Sequence, residues 1–400
     1  MPEFIFKARS LAGEAWSGTL EADSAEALEF MLNDKGFFPL EIKPKPEGVS
    51  LARMFGKVNK RDLAVFSRQL SVIISSGVTI IEAIAILAEQ TEKQSFKEVL
   101  EVVGDDVQKG KLLSQSMSAF PGVFPEFLRN MIRVGEASGT LDDIMEQMAN
   151  YYENEDKINR KVKSAMTYPM ILGIMTVGVV ILLMVMVLPM FSSILSEMGG
   201  QMPMITVVLM AISNFMRLNI GFIALGVAAV VFAFTSYTRT PSGRLRFDAF
   251  KVSFPLTRGL TVKVITSRFA RSMGILLKSG INIINAMNIM TTLIGNRAVE
   301  EKFAVSSEEV QQGRGIAESL SRIGIFPPLL IHMIQVGEKT GELDQMLLRT
   351  SGFFDDEVET AVTKMTTLIE PVMIVILAVI VAVILLSIFL PMLSIMNAVS

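Results

Sequence analysis

The sequence predicts a mainly α-helical membrane protein: two homologous cytoplasmic antiparallel helical bundles, three transmembrane helices and a small N-terminal α+β appendage. Three observations lead there. The chain is 50% apolar with a mean hydropathy of +0.47, yet 19% of its 400 residues are charged, so the apolar residues must be gathered into segments. Two uncharged runs are each long enough to cross a bilayer. A soluble, helix-patterned region followed by such a run occurs twice.

Residues 1–42 read as the α+β appendage. FIFKARS and AWSGTLEA alternate like two strands around Ala12-Gly13, and FFPLEIK reads as a further strand. Asp23 caps the helix in ADSAEALEFMLNDKG, with Glu26 three residues after the cap and Gly36 at its end. A linker over residues 43–59 opens with KPKPEG. The start has no basic stretch followed by an apolar one, so no cleaved signal peptide is expected and the N-terminus is placed in the cytoplasm.

Residues 60–168 form the first bundle. In LAVFSRQLSVIISSG the apolar positions recur at three- and four-residue steps, and Gly77 stops the helix. Phe124-Pro125 marks another helix boundary. Several helices joined by tight turns predict an antiparallel bundle. The 33 positions from Ser164 to Ser196 carry no charge, and residues 169–191 are expected as the first transmembrane helix. Residues 192–217 are expected as an external or interfacial segment, because the run after Gly199-Gly200 and Pro203 is short for a span. The second span covers 218–238, the second bundle 239–369, the third span 370–393 and an external tail 394–400. Pro169 and Pro189 lie 20 residues apart, as do Pro371 and Pro391, and each pair is expected to bracket a span, since proline suits the first turn of a helix. Lys157, Arg160, Lys161 and Lys163 precede the first span and Arg239, Arg244 and Arg246 follow the second, with only Arg217 basic between them. By the positive-inside rule both bundles are cytoplasmic and the C-terminus is external.

The duplication is explicit. At an offset of 202 the halves align without a gap from Phe124 to Pro189, so that Gly135-Glu136 meets Gly337-Glu338, Gly139 meets Gly341, Leu141 meets Leu343 and Pro169 meets Pro371. Upstream the offset is 203, where FSRQLSVIISSG matches FARSMGILLKSG and Arg68 and Gly77 recur as Arg271 and Gly280.

Chemistry is sparse. The chain has no cysteine, which excludes disulfides and thiolate sites, and one histidine, His332, which meets Asn130 in the other copy and reads as a surface or core residue. GDDVQKGKLL has five residues where a phosphate loop needs four between its glycines, and Leu112 where a magnesium-binding hydroxyl belongs. No HExxH, GxSxG or dinucleotide fingerprint occurs, so no catalytic residue, cofactor or metal ligand is assigned. A net charge of −3 gives no reason to expect a nucleic acid. Arg68 and Arg271 sit on apolar helix faces, where they grip a partner's carboxylate or pair within their own bundles. Glu370 stands where the first copy has Tyr168; it either suits a helix N-terminus or acts inside the bilayer. The phrases VGEASGTLDDIM and VGEKTGELDQML read as matching corners. Gly135 and Gly337 permit close helix contact, Ser138 and Thr340 N-cap the next helix, Gly139 and Gly341 permit a tight entry, and Leu141 and Leu343 point inward. Glu136 and Glu338 keep a claim to partner or cation contact.

These motifs, together with MTYPMI and TLIEPVMI, closely resemble the GspF/PilC inner-membrane platform proteins of type IV pilus and type II secretion machines, over essentially the whole chain. The resemblance implies a non-enzymatic scaffold in the bacterial inner membrane, with each soluble copy a six-helix bundle. It implies contact with a cytoplasmic hexameric assembly ATPase, with pilins or pseudopilins and with inner-membrane assembly proteins, and a homo-oligomer in the lipid bilayer. The ending SIFLPMLSIMN leans to the pilus branch, with the secretion counterpart as the alternative. A transporter lacks a polar pathway, and an intramembrane enzyme lacks placed acid, base or metal groups.

Overall fold

The computed structural model describes residues 3–10, 15–21, 29, 31, 37–44, 58–190, 193 and 204–399. The chain divides into two compact units, Met1–Val58 with Ala85–Val102, and Asn59–Ile84 with Val103–Ser400.

In the first unit, β1 (Glu3–Ser10) is the central strand of an antiparallel sheet of order β2-β1-β3, flanked by β2 (Ala15–Glu21) and β3 (Phe37–Pro44). Phe6 pairs with Gly18 on one side and Ile42 on the other, and the β1–β3 register shifts between Lys7 and Ala8. All three expected strands are present. The expected cap at Asp23, the helix end at Gly36 and most of the linker lie outside the described residues.

Six helices then appear in one order and recur in the same order. The first set is α1 (Lys60–Ser75), α2 (Ile80–Gln90), α3 (Gln94–Gln108), α4 (Leu113–Met117), α5 (Glu126–Ser138) and α6 (Leu141–Leu182). After α7 (Met204–Arg239) and α8 (Pro241–Ser253) come α9 (Pro255–Lys278), α10 (Ile283–Leu293), α11 (Arg297–Gln311), α12 (Ile316–Ser321), α13 (Pro328–Thr340) and α14 (Leu343–Val399). α1 starts with a capping box: Asn59 Oδ1 accepts from the Asp62 amide at 3.0 Å, and the Asn59 amide donates back to Asp62 at 2.8 Å. Gly77 and Gly280 end α1 and α9 at φ +89° and +79°, a conformation only glycine adopts cheaply.

The equivalent cores use equivalent contacts. Phe66 meets Phe124 with ring centroids 5.9 Å apart, and their counterparts Phe269 and Phe326 lie 5.0 Å apart. Phe124, Met131 and Met148 are fully buried in the first copy, as are Phe269, Phe303 and Leu330 in the second. Each such side chain contributes about 2–3 kcal/mol by leaving water. α1 packs along α6, and α9 along α14.

Among the described residues three helices are long and apolar enough to cross a membrane: Leu141–Met190, Thr206–Arg239 and Leu343–Ser387. Their relation to the bundles differs from expectation. Pro169 lies inside α6 and Pro371 inside α14, so neither begins a helix. The last bundle helix and the span are one rod in both copies, because the apolar run inherits the helical phase of the residues before it and a single missing N–H does not break so long a helix. Near Pro189 the rod does adjust. Leu183–Val187 form a π-turn, which takes up the pressure of the proline ring on the Val185 carbonyl. Residues 204–217, expected as an external or interfacial segment, are the first half of α7, which kinks at Asn219 (φ −116°, ψ 21°) and continues as the expected second span. Two buried hydroxyls tie that half to the other spans: Thr206 donates to the Ser387 carbonyl at 2.7 Å, and Ser213 to the Met184 carbonyl at 2.5 Å.

Candidate functional site

At the paired corners the chain turns from α5 into α6 and from α13 into α14. Gly139 and Gly341 adopt φ +73° and +80° and close the preceding helices. Their amides donate to the carbonyls of Gly135 and Gly337, the latter at 2.9 Å. The expected capping by Ser138 and Thr340 is corrected: both are the last residues of their helices, and their hydroxyls donate backwards to Val134 at 2.8 Å and Val336 at 3.0 Å. A left-handed glycine directly after them ends each helix there, and the forward contacts, Thr340 Oγ1 accepting from the Glu342 amide at 3.4 Å and Ser138 meeting the Thr140 hydroxyl at 2.7 Å, stop at the residue before the next helix. Gly135 and Gly337 do permit close contact. A Cβ built on Gly135 would stand 3.0 Å from the Leu141 Cα, and one on Gly337 would stand 2.7 Å from the Leu343 Cα. Leu141 and Leu343 are buried.

Glu136 and Glu338 have a job that their own helices do not reveal. Glu136 accepts from the Leu113 amide at 2.5 Å, the Ser114 amide at 3.2 Å and the Ser114 hydroxyl at 2.5 Å. Glu338 accepts from the Ile316 and Ala317 amides at 2.5 and 3.3 Å. Each carboxylate therefore caps a short helix, α4 or α12, that begins without a side-chain cap of its own. Both oxygens of each face backbone donors, so the charge is spent inside the fold.

Arg68 and Arg271 also find partners within the chain, Arg68 at the surface and Arg271 half-buried. Arg68 grips Glu153 with two contacts at 2.8 and 2.9 Å and donates to Asn150 at 2.5 Å. The hydrogen bond to Arg68 lowers the Glu153 carboxyl below its ordinary range despite partial burial. Arg271 pairs with Asp355, which also accepts from Ser267 and from Asn154 of α6. His332 is exposed, its Nδ1 3.3 Å from Gln335 Oε1.

The structure gathers a further set of residues along α6 and α14. Glu155 is 4% exposed and accepts both arms of the Arg268 guanidinium at 2.9 Å, together with the Lys60 ammonium. Burial alone would push this carboxyl up; the Arg268 and Lys60 charges overcome burial and hold it at about 2. Ile158, Val358 and Val362 form an apolar cluster with Leu260 and Val264. Lys161 of α6 pairs with Glu359 of α14, and the Tyr168 hydroxyl donates to Glu370 at 3.5 Å. Glu370 is thus mid-helix in α14, not at a helix N-terminus, because that helix already begins at Leu343. This seam joins the two bundles just before their helices become spans. Sequence reading missed Glu155 and Arg268. The available signal was a break in the repeat: Lys60–Glu155 recurs as Lys263–Glu357 at 2.6 Å, but Arg268 meets Val65 and has no counterpart.

Among the described residues no group of three or more acidic or histidine side chains gathers as a metal ion would need. What the described residues form here is a set of ion pairs and apolar contacts that hold the two bundles together.

Comparison with known proteins agrees with this architecture. Residues 66–189 and 269–391 each match the family described as type II secretion system (T2SS), protein F, and residues 1–43 match that protein's N-terminal domain. The chain is similar to the type IV pilus assembly protein PilC of Thermus thermophilus, with 36% identity over 405 positions covering 100% of both chains. It is similar to PilC of Myxococcus xanthus, with 33% identity over 99% of this chain and 96% of the relative. It is also similar to the type II secretion system protein F of Vibrio cholerae, with 31% identity over 100% of both. Two copies of one bundle, each running into a membrane helix and preceded in the chain by one small sheet, make this chain a member of the GspF/PilC family, the type II secretion system protein F family.

Proposed function

We propose that this inner-membrane protein is the platform of a type IV pilus assembly machine. It couples a cytoplasmic hexameric ATPase to the insertion of pilin subunits into a growing fibre. The observation that carries the reading is the unbroken passage of α6 and α14 from bundle to span, with the bundles joined by Glu155 and Arg268. Force applied to either bundle reaches the bilayer through a continuous hydrogen-bonded rod rather than a loop. In this reading residues 60–168 and 239–369 are cytoplasmic, the chain ends outside, and the protein works as a homo-oligomer and scaffold rather than as an enzyme. Pro169 and Pro371 are the points at which the rods enter the apolar layer, while Arg68, Arg271 and the corner residues keep the bundles rigid enough to transmit. The higher identity to the two PilC relatives favours the pilus branch. The same device in a type II secretion system, assembling pseudopilins, is the second reading, supported by the relative from Vibrio cholerae.

The test is a flexible Gly-Ser insertion between Lys163 and Ser164, expressed in a strain lacking the gene. Fibres should disappear while the protein stays in the membrane and still co-purifies with the ATPase. Normal fibre assembly by this variant would end the proposal.

A further inference from the structure

We propose that a groove between α6, α8 and α9, at the membrane-facing end of the seam, is a binding site for an anionic phospholipid. The groove encloses about 480 Å³. Val162 and Met166 of α6 and Leu260 and Val264 of α9 form its apolar walls, and two lysines line it, Lys163 and Lys251, the second shared with Asp248 at 3.0 Å and lying over the Phe247 ring.

Both lysines stand at the level of a lipid headgroup. Lys163 is the last charged residue before the uncharged run of α6, and Met166 already lies within that run. Lys251 reaches the same level through α8, which starts two residues after α7 ends and folds back on it. Phe247 of α8 packs edge-on against Phe234 of α7 with centroids 5.6 Å apart, and Arg246 donates to the Tyr237 hydroxyl at 3.3 Å. Phe250 and Phe254 stack at 4.9 Å and remain exposed, a pattern of aromatic rings suited to the bilayer interface.

The charges leave room for one phosphate. Arg268 lines the groove, but both of its arms are held by Glu155. Asp248 lines it too, and its carboxylate is already engaged by Lys251 at 3.0 Å, the Arg297 amide at 3.1 Å and Arg244 at 3.8 Å. Lys163 is exposed and has no ion pair among the described residues. A free phosphate would satisfy the lysines and leave the apolar walls against water. A phospholipid satisfies both, with its phosphate between Lys163 and Lys251 and an acyl chain along Val162, Met166, Leu260 and Val264.

The test uses the full-length protein in detergent micelles, titrated with phosphatidylglycerol, with phosphatidylcholine and with inorganic phosphate, and bound lipid counted by native mass spectrometry. Phosphatidylglycerol should be retained in preference to phosphatidylcholine, and millimolar inorganic phosphate should not displace it. The double variant Lys163→Gln/Lys251→Gln should weaken retention on the order of 25-fold, each basic residue near an anionic lipid surface being worth about fivefold. Val162→Trp fills the groove and keeps both lysines, and should also reduce retention. Lys163 is exposed, so the lysine pair carries the test alone if the tryptophan variant fails to fold. Equal retention of the two lipids, unchanged binding by the lysine pair, or full displacement by inorganic phosphate would overturn the proposal.

Discussion

Replacing Arg268 by alanine removes the cation that reaches Glu155 from the second bundle. Glu155 stays buried and keeps only Lys60. Breaking a buried pair costs about 3–5 kcal/mol, and the remaining ammonium places the cost at the lower end, about 3 kcal/mol. Protonation gives an independent magnitude. The Glu155 carboxyl falls from an ordinary 4.5 to about 2 on folding. That is about 2.5 units at 1.36 kcal/mol each, or about 3 kcal/mol. Because the folded value lies below the unfolded one, this stabilisation is fully present above about pH 4.5 and is lost as pH falls toward about 2. The assay is denaturant unfolding of the full-length protein in micelles at pH 7 and pH 3, for wild type, Arg268→Ala, Glu155→Gln and the double variant. At pH 7 each single variant should lose about 3 kcal/mol, and the double variant less than the sum by about 2 kcal/mol. At pH 3 the gap between wild type and Arg268→Ala should shrink by more than half. A loss at pH 7 under about 0.5 kcal/mol, the range of an ordinary surface change, would refute the reasoning. So would a gap that does not change with pH.

Three further perturbations test other parts of the fold. Gly337→Ala forces a Cβ to within 2.7 Å of the Leu343 backbone and should cost about 1–3 kcal/mol, read as a lowered Tm; Gly135→Ala, at 3.0 Å, should cost less. Glu136→Gln and Glu338→Gln remove the charge that caps α4 and α12. Each should cost about 1–2 kcal/mol and speed hydrogen exchange at the Leu113 or Ile316 amide, with little change in the distal helices. Ser213→Ala deletes the bond to the Met184 carbonyl and should cost about 0.6 kcal/mol in micelles, with circular dichroism unchanged.

What could be read from sequence was whatever repeats or has a local period. The duplication foretold helices in matching order, while the count of six per copy came from the family resemblance; Phe66 and Phe269, aligned by the repeat, occupy equivalent places in the two cores. The strands of the N-terminal sheet were legible from alternation alone. The misreadings share one cause: a local rule was applied where a neighbour decides. Proline was taken as a helix start at 169 and 371, but helices already growing from Leu141 and Leu343 carry through it. Ser138 and Thr340 looked like caps because small hydroxyl residues usually are, yet the left-handed glycine after each fixes the turn first. Glu136 and Glu338 do cap helices, but these are α4 and α12, whose first amides lie over twenty residues upstream. Glu155 and Arg268 are 113 residues apart, and no periodicity connects them.

Tyr168 and Glu370 are the same position in the two halves, and they touch each other. Contact between a position and its own duplicate is the contact that a local dyad between the paired rods produces, as between two identical half-length chains in a symmetric dimer. Glu155 and Arg268 break that dyad, because Val65 stands where the reciprocal arginine would be needed. The halves have therefore diverged into a lock and a key. Expressed as two separate polypeptides, the first half and the second should seek each other, and neither should form the same seam with a copy of itself.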